Sequence, residues 1–315
     1  MIKACSFLPA ATQIIYDLGL EDCLQGVTFE CPLQARSDKQ IIVHCALEGK
    51  DLDSQEIDRV FSVSKAQGRS LYFVDEERLA TLAPDIIFTQ DVCEVCLIDT
   101  TSTQAAVARL AHPPQLIPLS PQTLDDAFEI VLTIWKALGH EESARQHLTK
   151  LHHRLDHITK LLQTSSLTKR VMLMEWLSPI YNCGHWIPDQ ITHAGGNDGL
   201  ANPRGDSRAI RWNDVVCYNP EVLVIAPCGF SIERTRQEMS WLTEKPEWPQ
   251  LQAVKNQQVY LAGFDLFTQP SASTLVDGIE LLTALFHPEI VEMPEPLRSR
   301  YQPWPMNEPQ PLKIF

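Results

Sequence analysis

EESARQHLTKLHHRLDHITKLL, residues 141–162, is the stretch whose reading decides the fold. As a helix it makes about six turns and spans roughly 30 Å at 1.5 Å per residue, the diameter of a small domain. A second helical stretch precedes it. Apolar residues recur at helical spacing from Thr123 to Ala137, and Gly139 breaks the run.

On both sides of this pair, short apolar runs alternate with helical patterns. Upstream, residues 2–8 read as a strand, and AATQIIYDLG as a helix opened by Ser6 or Pro9 and stopped at Gly19. QGVTF (25–29), PDIIFTQ (84–90) and QLIPLS (115–120) read as strands. Residues 54–67, with Ile57, Val60, Phe61 and Ser64 in helical register, and 75–82 read as helices. Downstream, RVMLMEW (170–176), EVLVIAP (221–227) and QQVYLAG (257–263) are strands. The helices there are Pro188–His193, Trp212–Cys217, SIERTRQEM (231–239) and 271–286. Such alternation predicts an α/β fold of two Rossmann-like lobes with parallel sheets, joined by a long linking helix, with a ligand cleft between the lobes. The expected division is 1–120 for the first lobe, 121–165 for the linking helices and 166–292 for the second lobe. A loosely packed, Pro-rich tail follows at 293–315.

Charge narrows the partners. Lys and Arg number 26 against 40 Asp and Glu, a formal net charge of −14. That surface repels phosphate backbones and anionic lipid, so nucleic acid is excluded as a first reading. No run of 18 apolar residues predicts a membrane insertion. The opening residues lack the basic start, unbroken apolar run and cleavage site of a secretory signal, and nine cysteines at irregular spacing make a poor disulfide framework. Both point to the cytoplasm for the chain as given, and to the periplasm only if a leader has been removed.

In α/β sheets ligands bind outside the carboxyl ends of the strands. The segments following the predicted strands carry Pro9, Phe29, Glu30, Ser70, Tyr72, Asp91, Trp176, Gly184, His185, Trp186, Gly229, Phe230 and Phe264. That mixture of aromatics and scattered polar groups suits a large, flat, partly apolar ligand. His185 could serve as an axial ligand to a metal. His147, His152, His153 and His157 of the linking stretch read as a solvated helix face. Asp75, Glu76 and Glu77 read as acidic residues favourable to a helix N-terminus. Cys93 and Cys96 form C-x-x-C. With Cys31 and Cys228, also after strands, they would converge on the cleft as a tetrahedral metal site, zinc or an iron–sulfur cluster. The alternative is that these thiols fill loop turns as small apolar groups. Phosphate-cradling and nucleophile-elbow motifs are missing, and nothing argues for an enzyme.

Five segments resemble the cobalamin-binding branch of the periplasmic-binding-type proteins for cobalamin and iron–siderophore complexes, the class with a helical backbone. They are SFLPAATQIIYDLGL (6–20), GRSLYFVDEERLATLAPDIIFTQDVCEVC (68–96), MEWLSPIYNCGHWIPDQITHAGG (174–196), NPEVLVIAPCGFSIERT (219–235) and TLVDGIELLTALFHPE (274–289). The resemblance implies a corrinoid held between two lobes, as in ABC-transporter substrate-binding proteins, with an ABC permease as partner. In the last cleft loop, FTQPSAS, Gln269 stands near where the resemblance implies a basic residue. The other readings are a cytoplasmic metal or iron–sulfur protein on the same scaffold with a redox or salvage role, and a haem or siderophore binder.

Overall fold

A computed structural model describes residues 2–90, 106–110, 112–139, 141–163 and 168–304. The first sheet comprises β1 (Ala4–Ser6), β2 (Leu24–Thr28), β3 (Gln40–Cys45), β4 (Tyr72–Val74), β5 (Ile86–Gln90) and β6 (Gln115–Leu119). Its order is β4-β3-β2-β1-β5-β6, parallel throughout except that β4 runs antiparallel to β3. The second sheet draws on β7 (Lys169–Met174), β9 (Gly196–Asn197), β11 (Val222–Ile225), β12 (Val259–Ala262) and β13 (Tyr301–Pro303). It is ordered β13-β12-β11-β7-β9, with β13 antiparallel to β12. A short parallel pair, β8 (Gly184–His185) with β10 (Asn202–Pro203), lies outside both sheets. The two α/β lobes are therefore as read from sequence, but each parallel sheet ends in one antiparallel edge.

Both antiparallel edges correct the sequence reading. β4 begins at Tyr72, where the alternation suggested a loop leading into a helix. β3 carries the short apolar run Ile41-Ile42-Val43, easily passed over between the helix Leu33–Asp38 and the turns that follow. Residues 293–304 are not a loose tail. Leu297 is buried, and β13 pairs with β12 through Tyr260–Pro303, Leu261–Gln302 and Ala262–Tyr301.

The helices sit where the apolar spacing put them. The opening helix is Pro9–Asp17, with Pro in its first turn. Leu124–Leu138 is capped by Thr123, whose hydroxyl accepts from the Asp126 N–H while the Asp126 carboxylate accepts from the Thr123 N–H. Gly139 closes it in the left-handed conformation, and the linking helix Glu141–Leu162 follows. The last helix, Ala272–Phe286, is buried on nearly every side.

That burial explains how the lobes are joined. One continuous apolar core runs from β1 and the opening helix, through Leu124–Leu138 and Leu151 and Ile158 of the linking helix, to the last helix and β7. Polar contacts reinforce it. Arg154 of the linking helix donates to Asp277 at 2.5 Å and to both oxygens of Glu280 at 2.8 Å on the last helix. Asp17, ending the opening helix, accepts from Gln13 at 2.8 Å and from the Ser273 hydroxyl. His147 of the linking helix stands 3.9 Å from the same carboxylate, with only 15% of its side chain exposed. It is thus an inter-element residue and not part of a solvated face, and burial lowers its pKa. Among the described residues no helix is long and apolar enough to cross a membrane.

Arg154 and its partners are each about a third or less exposed, so the clamp lies between surface and buried ion pairs in strength. Arg154→Ala leaves two carboxylates facing one another and is expected to cost about 1–2 kcal/mol, discounted for solvent screening. Urea denaturation of the two proteins checks this, and an unshifted midpoint refutes it.

Candidate functional site

The carboxyl ends of both sheets open on one cleft of about 420 Å³, within the range of small-molecule sites. From the first lobe, the turn after β1 supplies Leu8 and Pro9, that after β2 supplies Phe29 and Glu30, and that after β3 supplies Leu47 and Glu48. From the second, β7 delivers Glu175 and Trp176, β11 delivers Cys228 to Phe230, and β12 delivers Phe264.

The walls are aromatic. On the first lobe the Tyr72 ring lies 6.1 Å from both Phe29 and Phe61, making a continuous face. On the second, Trp176 and Phe230 pack with ring centroids 4.9 Å apart, and the Arg234 guanidinium lies 4.1 Å over the Phe230 ring. His185 stacks on Trp186 at 5.4 Å, and the Trp186 indole N–H donates to the Phe267 carbonyl at 2.6 Å. His185 takes a left-handed backbone with φ of 53°, a conformation sparsely populated outside glycine. Its Nε2 stands 3.7 Å from Asp206, and its Nδ1 is buried without a hydrogen-bond partner. Burial holds the imidazole below its ordinary pKa, against the opposing pull of Asp206.

Charge in the cleft is mainly acidic. Glu30, Glu48, Asp58, Glu175 and Asp206 line it, against Lys50 and Arg234. Arg234 is committed to Glu238 at 3.0 Å and to the Leu52 carbonyl. Glu48 accepts from the Cys45 N–H at 2.7 Å and faces His44 at 3.2 Å. Glu30 is exposed to solvent at the cleft, among a high density of protein atoms. Desolvation, and then the nearby Glu48 charge, push its pKa up to about 7.

Of the residues singled out in sequence, Pro9, Phe29, Glu30, Tyr72, Trp176, His185, Trp186, Cys228, Gly229, Phe230 and Phe264 line the cleft. Ser70 does not. It lies with Arg59, Val63 and Arg69 in a separate groove of the first lobe, where its hydroxyl accepts from the Tyr72 N–H as β4 begins. Gly184 sits behind the wall, and its N–H donates to Glu175 at 3.0 Å. A side chain there would meet the Gly205 carbonyl and come within 2.5 Å of the Ser207 nitrogen, so packing requires the glycine. Cys31 is buried and turned away from the cleft. The chain reverses after β2, and the Cys31 sulfur is held 3.1 Å from the Thr12 hydroxyl and 3.4 Å from the Thr28 hydroxyl. The four-thiol arrangement thereby loses one member, and Asp91, Cys93 and Cys96 lie outside the described residues. Among the described residues, no three His, Cys, Asp or Glu side chains form a group able to hold a metal ion.

The cleft also contains residues the sequence reading passed over: Leu47, Lys50, Leu52, Ile57, Asp58 and Phe61 in one segment, with Tyr181, Asp206 and Arg234 opposite. The signal for the first group was present. Asp53 and Glu56 form a capping box for the helix Ser54–Ala66, which fixes where that segment turns. Without β3 in the reading, nothing placed this turn at a strand end.

Comparison with known proteins agrees with the fold. The family described as periplasmic binding protein matches residues 9–266. An uncharacterised ABC transporter substrate-binding lipoprotein, YvrC of Bacillus subtilis, is 23% identical over 296 residues, covering 91% of this chain and 80% of that protein. Among solved structures, a periplasmic heme binding protein from Pseudomonas aeruginosa superposes with a TM-score of 0.71 at 17% identity, covering 94% of this chain and 96% of that one. The periplasmic vitamin B12 binding protein of Vibrio cholerae gives 0.64 at 18%, covering 90% and 95%.

The raised pKa of Glu30 carries a sign. The folded state favours the neutral carboxyl, so its contribution to stability is full below the ordinary value of 4.5 and is lost as pH rises through about 7. Glu30→Gln removes that loss. Thermal unfolding between pH 4.5 and 8 should show the variant gaining in Tm over the wild type as pH rises, with no gain at the acid end. Parallel pH profiles would contradict the assignment.

Proposed function

This chain belongs to the periplasmic binding protein family, and we propose from that premise that it is the substrate-binding component of an ABC importer and carries a corrinoid in its inter-lobe cleft. The observation that carries the choice of ligand is the combination of aromatic walls with an acid-lined interior. Opposed rings such as Phe29 and Tyr72 against Trp176 suit a broad, flat ligand. The edge chemistry then discriminates. A corrin bears neutral amide side chains, whose N–H groups donate to carboxylates. A haem bears two propionates, which five cleft carboxylates oppose and for which the described cleft residues offer Lys50, Arg234 being already engaged. Gln269, which also lines the cleft, adds an amide there and not a cation.

His185 lines the cleft as a ring stacked on Trp186, but its Nδ1 is buried and its Nε2 stands 3.7 Å from Asp206, so on this reading it meets the edge of the ligand and not its metal. The partner on this reading is an ABC permease that receives the loaded protein. An extracytoplasmic site of action goes with it, in place of the cytoplasm suggested by the opening residues, as the relatives named above are a lipoprotein and periplasmic proteins.

Titration with cyanocobalamin, followed by tryptophan fluorescence and the visible bands of the corrin, is expected to give micromolar or tighter binding. Haem should bind at least tenfold more weakly. Phe29→Ala should weaken cyanocobalamin about tenfold, the equivalent of about 1.4 kcal/mol. Tighter binding of haem than of cyanocobalamin would overturn the reading.

A further inference from the structure

The shared core on the helical side leaves the lobes little freedom to swing apart, so access to the cleft falls to a local element. Residues 47–61 are the candidate. They leave the first lobe after β3, supply Leu47, Glu48, Lys50, Leu52, Ile57, Asp58 and Phe61 to the cleft, and reach across to the second lobe. Their attachment there is polar. The Trp176 indole N–H donates to the Ser54 carbonyl at 3.0 Å, and the Tyr181 hydroxyl donates to Asp58 at 3.0 Å. Arg234 donates to the Leu52 carbonyl. The Ser54 N–H donates to Glu238 at 2.8 Å. Within the strap only Ser54 is fully buried, and its hydroxyl has no partner. Hydrogen bonds of this kind contribute about 1 kcal/mol each and exchange readily for bonds to water. Segments held by them belong to the low-stability end of a fold.

We infer that residues 47–61 form a gating strap over the bound ligand, and that Glu238, from outside the cleft, is the positioning residue that keeps it shut. Glu238 does not line the cleft, and its side chain is 11% exposed. Its carboxylate receives the first amide of the helix Ser54–Ala66, where the helix dipole favours a negative charge. It also orients Arg234, which in turn holds Leu52. One carboxylate thus secures two of the five attachments, the fifth being a longer bond from the Gln55 amide to the Ser178 hydroxyl at 3.5 Å. Gly49, at φ of 71° with no neighbour that an added side chain would meet, gives the strap a turning point next to its root in β3.

The inference rests on the cleft being the ligand site proposed above, and its test separates the two. Hydrogen exchange of the ligand-free protein reads the strap directly. Amides 47–61 are expected to exchange faster than those of β1 and β7 in the wild type, and about tenfold faster again in Glu238→Ala, with β1 and β7 unchanged. Stopped-flow dissociation of cyanocobalamin should accelerate about tenfold in Glu238→Ala. In Glu238→Gln, which still accepts from the Ser54 N–H, it should stay within about threefold of wild type. Strap amides as slow as the sheet amides, a uniform rise across both lobes, or an unchanged dissociation rate would each overturn the gate. If cyanocobalamin fails to bind the wild type, the corrinoid reading falls, and the exchange experiment alone decides the strap.

Discussion

The apolar core that continues across the linking helix is the constraint from which the other features follow. Because Leu151 and Ile158 of that helix pack into the same cluster as β1, β7 and the last helix, one face of each sheet shares a single interior, while the other faces pack in separate clusters. Rearranging the lobes would uncover apolar surface at roughly 25 cal/mol per Å², a large penalty for any wide swing. Arg154 and Asp17 add directional bonds to this non-directional adhesion, Asp17 at the start of the last helix and Arg154 at its middle. The result is a cleft whose width is largely set before any ligand arrives.

A preset cleft can be selective through its chemistry alone. The strand ends place rings on both walls and carboxylates around them, so shape and charge are judged together. Glu30 shows how the scaffold modifies that judgement. The pKa of its carboxyl is raised above the ordinary range by the surrounding protein and by Glu48, which weakens the charge it presents to a ligand. His185, fixed on Trp186 in a backbone conformation that few residues tolerate, adds an imidazole that burial keeps toward its neutral form.

The architecture was legible because it depends on periodicity. The 22-residue linking helix, the opening helix with Pro9 and the strands ending near Phe29, Trp176 and Phe230 follow from spacing and punctuation that survive in any context. What escaped depends on tertiary pairing. β4 has only three residues, too short a run for alternation to mark it as a strand. β13 looked like a Pro-rich tail until β12 gave it a partner. Cys31 illustrates the limit for site residues. Its position after a strand suggested a cleft thiol, but the direction of its side chain was decided by Thr12 on a helix 19 residues away. Ser70 and Gly184 failed in the same way: the right segment, the wrong face. The strap was invisible as a site because its neighbours, Trp176, Tyr181 and Arg234, lie more than a hundred residues downstream.

Among the described residues Cys217 is exposed and Cys228 half-buried, but other thiols are sheltered by the fold itself. Cys5, Cys31, Cys45 and Cys183 are all buried, and desolvation raises every one of these thiols, Cys5 to about 12. Thiol–disulfide exchange proceeds through the thiolate, so these sulfurs are nearly inert while the chain is folded. The unfolded chain has no such shelter. In an oxidising environment the protein is in a race between collapse and cross-linking, and the apolar core that fixes the cleft also decides which of the two comes first.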